Sequence, residues 1–139
     1  MSNTFHIRRL LPEDTSAYCH HMLGLDRQSR NDRFEGAMSD GAIIRYATRP
    51  LKEGEYLYGA FDGDHLCGVG ELRSSASTEG ETHAEAASSV EGAHRKQGIG
   101  ARLFERLRIE ARDQYRNTKR AFQDQTARTK IHGCLTAAR

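Results

Sequence analysis

The chain contains no tryptophan, and aromatic residues make up only 7% of its 139 residues. Proteins that bind single-stranded nucleic acid stack bases on aromatic platforms, and so thin a supply argues against one here. No apolar run is long enough to cross a membrane. Met1 to His6 lacks the charged-then-apolar pattern of a secretory signal. Cysteine is scarce: Cys19, Cys67 and Cys134 are odd in number and far apart. They suit reduced thiols in a cytoplasmic protein, not a disulfide framework. No Cys-x-x-Cys or His-x-x-x-His pair accompanies Cys19-His20-His21, and neighbouring residues on a helix face different ways, so no metal is expected. No His/Asp pattern supports a triad around Cys134, which fits a small packed residue on a last strand. Repeats and interdomain linkers are absent too. The length suits a single domain, 1–139, whose 37% apolar content leaves a modest core for a soluble chain.

Charge is present in quantity and is unevenly placed. Residues 1–94 hold 9 Lys/Arg and 15 Asp/Glu, a balance of −6; residues 95–139 hold 12 and 4, a balance of +8. The basic part suggests an anionic partner. The acidic part argues against broad nucleic-acid binding and suits a cationic small partner.

His94-Arg95-Lys96-Gln97-Gly98-Ile99-Gly100-Ala101 is the most informative stretch. It follows a strand-like run, Ala84 to Glu91, and opens a helical run, Ala101 to Arg116. The first N–H groups of a helix lack intrahelical partners and carry partial positive charge. Glycines there let a phosphate approach the backbone. A P-loop would need Lys-Ser/Thr where Ala101-Arg102 stand, and a Rossmann turn would need glycine where Leu103 stands.

Phe5 to Leu10 reads as a strand. Pro12-Glu13-Asp14 starts a helix that runs to about Leu23 and stops at Gly24. Leu25 to Phe34 is polar and, on its composition, reads as a solvated charged loop. Ser39-Asp40-Gly41 precedes a second helical stretch, Ala42 to Ala47. Tyr56 to Phe61 and His65 to Leu72 flank Asp62-Gly63-Asp64, a hairpin signal. Ser74 to Thr82 reads as a loop. On the long helix, Ile99, Leu103, Leu107, Ala111 and Tyr115 recur every four residues with Phe104 beside them. Asn117 to Lys130 is a helix extension or a loop, and Ile131 to Thr136 a last strand.

Arg95-x-x-Gly98-x-Gly100 resembles the Gln/Arg-x-x-Gly-x-Gly/Ala pyrophosphate loop of the Gcn5-related N-acetyltransferase (GNAT) superfamily. The order strand–helix–helix–hairpin–strand–helix–strand is similar to the GNAT order over roughly residues 4–136. Leu25 to Phe34 also resembles a segment of bacterial GNAT domains near the protein-lysine acetyltransferases. The resemblance implies an α/β (α+β) fold, a mixed, mostly antiparallel sheet flanked by helices. The family's last helix and strands have no counterpart after Thr136-Ala137-Ala138-Arg139. That leaves three expectations: a truncated copy, a partner chain such as a second copy completing the sheet, or lost activity.

The resemblance further implies acetyl-CoA as co-substrate, with no metal, and transfer of its acetyl group to a primary amine on a small molecule or on a protein lysine or N-terminus. The alternative is a non-catalytic acyl-CoA-binding or regulatory module. Ser89 and Val90 would line the pantetheine, with the acetyl carbonyl at the N–H near Val90 and a strand bulge near Val90 and Glu91. Arg95, Lys96, Gln97, Gly98, Ile99, Gly100 and Ala101 would hold the pyrophosphate, with the Arg95 and Lys96 side chains free to add charge. Glu85 is the candidate base. Glu71, His83 and His132 are further candidates, the histidines because their pKa values suit proton transfer.

Overall fold

The computed structural model describes residues 4–34, 36–52, 54–76, 82–122 and 127–130, without the side chains of 74–76, 82–84 and 114–130. The sheet grows from the expected hairpin. Strands β2 (Tyr56–Asp62) and β3 (His65–Ala76) meet across a two-residue turn, where Gly63 supplies the left-handed φ, +63°, that such turns require. Strand β1 (His6–Arg9) pairs antiparallel with β2, and β4 (Thr82–Val90) antiparallel with β3. Strand β5 (Ala127–Lys130) runs parallel to β4, giving the order β1-β2-β3-β4-β5.

Helices cover both faces. On one, α1 (Thr15–Leu23) and α3 (Asp40–Thr48) bury Tyr18, Met22, Ile43 and Ala47 against Leu57, Phe61, Leu66 and Val69. A 3-10 turn at Pro12–Asp14 leads into α1, and the Ser39 hydroxyl caps α3 by accepting from Ala42 N–H. On the other face, α4 (Ile99–Phe122) buries Ile99, Leu103, Leu107 and Ala111 with Tyr58, Ala60, Leu72, Ala86 and Val90. The four-residue stripe therefore packs as its spacing requires. A Cβ on Gly70 would lie 3.2 Å from both Leu103 and Leu107, so bare backbone in β3 lets α4 dock this closely.

Four expectations are corrected. Residues 74–76 and 82 are not loop; they extend β3 and β4, with Ala76 paired to Thr82. Residues 117–122 continue α4, one of the two readings of that stretch, but 127–130 form β5 where helix or loop was expected; the strand expected over Ile131 to Thr136 lies outside the described residues. β4 keeps one register with β3 from Thr82 to Val90, without the bulge expected at its end; the register shift falls instead between β2 and β3 at Ala60/Phe61.

The fourth concerns Leu25 to Phe34, which contains α2 (Arg27–Phe34) instead of a loop. Its apolar content is too low to show a helical stripe, but polar groups hold it. The Asp26 carboxylate accepts from Ser29 N–H at 2.8 Å, an N-cap. Arg30 donates to the Leu23 carbonyl and to Asp40, and Arg33 reaches into the sheet face. These polar contacts, with Phe34 packed edge-on against Tyr46, hold a helix that has no apolar stripe.

Candidate active site

Backbone pairing decides what the end of β4 offers. Glu91 N–H bonds to Cys67 O at 2.9 Å, which makes 67/91 a hydrogen-bonded rung of the antiparallel ladder. Rungs alternate, so 69/89, 71/87 and 73/85 are bonded, and Ala86, Ser88 and Val90 aim their N–H and C=O groups away from β3. That side belongs to β5. The described residues of β5 pair with Thr82 to Glu85. Among the described residues, Glu85, paired with Lys130, is the last shared rung of the two parallel strands.

Beyond Val90 the chain makes a 3-10 turn, Gly92–His94, and enters α4. Lys96 and Gly98 both take positive φ, +65° and +81°. Gly98 O accepts the first bond of α4, from Arg102 N–H at 3.1 Å. Among the described residues, the N–H groups of Lys96 to Ala101 find no backbone partner, a run of unsatisfied donors at a helix start. A Cβ on Gly98 would meet no atom within 4 Å, so the space over it is open.

Two side chains hold this loop down. Arg95 donates through Nε to Val90 O at 3.2 Å, and its Nη2 reaches Ser29 Oγ and Asp26. The Arg95 side chain is therefore an anchor from the loop to α2, not the free charge expected. His94 contacts Asp62 at 3.2 Å and Glu91 at 2.9 Å, tying the turn to the tip of the β2–β3 hairpin. Lys96 and Gln97 are exposed, Ala101 is exposed on the helix, and Ile99 and Gly100 are buried beneath.

The remaining candidates separate sharply. The Ser89 hydroxyl sits 2.9 Å from His21 Nε2 on the α1 face, and its backbone is taken up by the rung with Val69, so Ser89 does not line the pantetheine as expected. Val90 packs in the core below α4. His21 is buried while its neighbour His20 is exposed; burial lowers the His21 pKa to about 4, so the ring is neutral. Glu85 is exposed, on the same face of β4 as Ala87 and Ser89. The backbone of His83 lies in β4. His132 and Cys134 lie outside the described residues.

Glu71 is not a base. It is fully buried, and Arg33 and Arg73 approach its carboxylate to 2.7 and 3.2 Å. Tyr18 and Tyr46 donate to its Oε1 at 2.9 and 2.7 Å. Burial alone raises a carboxyl pKa, but the two guanidiniums and the hydrogen bonds outweigh it and hold Glu71 at about 2. The same cluster raises Tyr46 to about 12, through burial and then the Glu71 charge. Sequence reading missed this cluster, because its members come from α1, α2, α3 and β3 and share no motif. Among the described residues no group of His, Cys, Asp or Glu is placed to hold a metal ion, and no helix is long and apolar enough to cross a membrane.

The model of the acetyltransferase (GNAT) family matches residues 13–132 of this chain. The chain belongs to the GNAT acetyltransferase family. The GNAT domain of S. lividans PAT is similar in structure, with a TM-score of 0.61 at 19% identity over 77% of this chain; the present chain spans 65% of that domain's length. A predicted acetyltransferase from Clostridium acetobutylicum, solved with acetyl-CoA, gives 0.58 at 15% identity, covering 91% of this chain and 80% of that one. Ribosomal-protein-alanine N-acetyltransferase from Brucella melitensis biovar Abortus 2308 gives 0.53 at 15%, covering 93% and 81%. These likenesses establish the GNAT fold, a sheet with helices on both faces. No curated protein matches the chain in sequence.

Proposed function

We propose that this GNAT domain transfers the acetyl group of acetyl-CoA to a primary amine. The observation that carries the reading is the run of N–H groups from Lys96 to Ala101 without a backbone partner among the described residues, set just beyond the end of β4. Those donors and the open space over Gly98 suit a pyrophosphate. The outward amides of Ser88 and Val90 suit the pantetheine and the acetyl carbonyl, where a fixed donor favours a developing oxyanion. Bound acetyl-CoA supplies an activated thioester. The chain's part is to hold it beside the acceptor and to take a proton from the attacking amine. Glu85 is the residue proposed for that proton, because it is an exposed carboxylate on β4. The −6 balance of residues 1–94 favours a cationic acceptor.

Calorimetric titration with acetyl-CoA, with CoA and dephospho-CoA as controls, tests the site, and turnover over an amine panel tests the activity. Gly98→Glu and Gly100→Glu are expected to abolish binding, because each puts a carboxylate where the phosphates would lie. Unchanged affinity in both variants would overturn the loop assignment. Binding without turnover of any amine would leave a non-catalytic acyl-CoA-binding module.

A further inference from the structure

The 3-10 turn before the glycine loop is held by a ring that faces two carboxylates at once. His94 Nε2 makes a hydrogen bond of 3.2 Å to Asp62 Oδ2, at the end of β2. Its Nδ1, which is buried, lies 2.9 Å from Glu91 Oε1, a close ionic approach without hydrogen-bond geometry. A neutral imidazole has one N–H and one lone pair, and a carboxylate only accepts. Whichever nitrogen a neutral ring left bare would set its lone pair against a carboxylate oxygen. Only the imidazolium, with a proton on each nitrogen, suits both neighbours.

His65 is the contrast. Its Nε2 meets the same Glu91 oxygen at 2.7 Å and its side chain is 60% exposed, so one N–H is enough and a neutral ring serves. The two rings lie 5.9 Å apart. Other charged groups nearby are engaged elsewhere or face another way. Arg95 turns to Val90 O, Ser29 and Asp26. His21 on α1 is neutral, and Glu13, His20 and Asp64 line the hollow beside His65 and Glu91. Phe5 meets the His94 ring edge-on at 6.4 Å and brings no charge.

We propose that His94 is a positioning residue for acetyl-CoA, and that its doubly protonated form is the one that holds the loop ready to bind. The proposal rests on the reading of Lys96 to Ala101 as the pyrophosphate site. Asp62 is 59% exposed and His94 only 18%. When the ring loses a proton, Asp62 therefore turns to water and the hairpin tip lets go of the turn. Two residues on, Lys96 sits at a left-handed φ that costs a non-glycine residue energy, so the loop depends on its anchors. The Arg95 clasp keeps its charge throughout and the loop loosens without being lost. Acetyl-CoA affinity thus falls as pH rises across the range in which histidines lose their proton.

The test is calorimetric titration of the full chain with acetyl-CoA from about pH 5.5 to about pH 8. The ligand's own phosphate titrates in this range, and comparison with His94→Gln cancels its effect. The wild type should bind about tenfold more tightly than His94→Gln at the lower end and equally at the upper end. Asp62→Asn places an amide that either donates or accepts beside the ring, so its affinity should stay high throughout. His65→Gln should keep the wild-type profile. The free chain gives a second readout by ¹⁵N NMR. Amides of Asp62 and of Lys96 to Ala101 should shift with the midpoint of the His94 ring, and should stop doing so in His94→Gln. Matching profiles for the wild type and His94→Gln, or loop amides indifferent to that ring, would overturn the proposal. No acetyl-CoA binding at any pH would overturn the proposed function instead, and the free-chain titration would then decide whether His94 holds the loop.

Discussion

Two guanidiniums and two phenols leave the Glu71 carboxylate no room to take a proton, and the consequence is a pH-dependent fold. Its folded pKa, about 2, lies below the usual 4.5. The stability it contributes is therefore complete above 4.5 and lost as pH falls toward 2. His21 acts one step earlier. Burial lowers its pKa from 6.5 to about 4, so the unfolded chain takes up the proton first and stability falls as pH drops from 6.5 to 4. That step amounts to about 3 kcal/mol. Urea unfolding at a series of pH values should show both losses, and His21→Asn should flatten the upper one. Glu71→Gln leaves two buried guanidiniums without a full counter-charge, for an expected loss of about 3–5 kcal/mol at pH 7. Glu85 belongs to chemistry instead: Glu85→Gln is expected to lower kcat by about 10²–10⁴-fold while acetyl-CoA affinity stays unchanged. Equal kcat in the variant would remove Glu85 from the mechanism.

Among the elements, α4 depends on β3 having no side chains beneath it. Ile99 and Leu103 press on Gly68, and Leu103 and Leu107 on Gly70, with added-Cβ distances of 3.0–3.3 Å to those side chains. Gly70→Val should push the helix off the sheet at a cost of about 1–3 kcal/mol, read as a lower urea midpoint. Because α4 also carries the N–H groups of the glycine loop, the same variant should weaken acetyl-CoA binding without altering any residue of the loop. Helix α2 is tied to that loop by a different means, the Arg95 side chain on Ser29 and Asp26. An apolar contact holds one side of the loop and a polar clasp the other.

For the whole molecule, the proposed site joins β4, α4 and α2, and a ligand that binds only the folded chain stabilises it. Acetyl-CoA at 100 times its Kd should stabilise the chain by about 2.7 kcal/mol, visible as a higher Tm. Gly98→Glu should fold but show no such shift, since its side chain enters open space; the left-handed φ there adds a cost of about 1–2 kcal/mol.

Local pattern carried a large part of this molecule. The Asp62–Asp64 hairpin, the four-residue stripe of α4 and the glycine turn between β4 and α4 all depend on neighbours within a few residues, and each was legible in the chain alone. The family, too, was legible in Arg95, Gly98, Gly100 and the order of elements. Other features were not. Glu71 draws its partners from 53, 38 and 25 residues away, and Arg95 meets Ser29 across 66. No periodicity encodes such pairs; they exist because the helices and the sheet register bring them together. The same holds for α2, whose stability comes from contacts outside itself. Sequence determined the turns, stripes and charges, because those are properties of adjacent residues. Tertiary structure decided which charged groups are locked in the core and which face a ligand, because burial and long-range pairing are properties of the assembled chain.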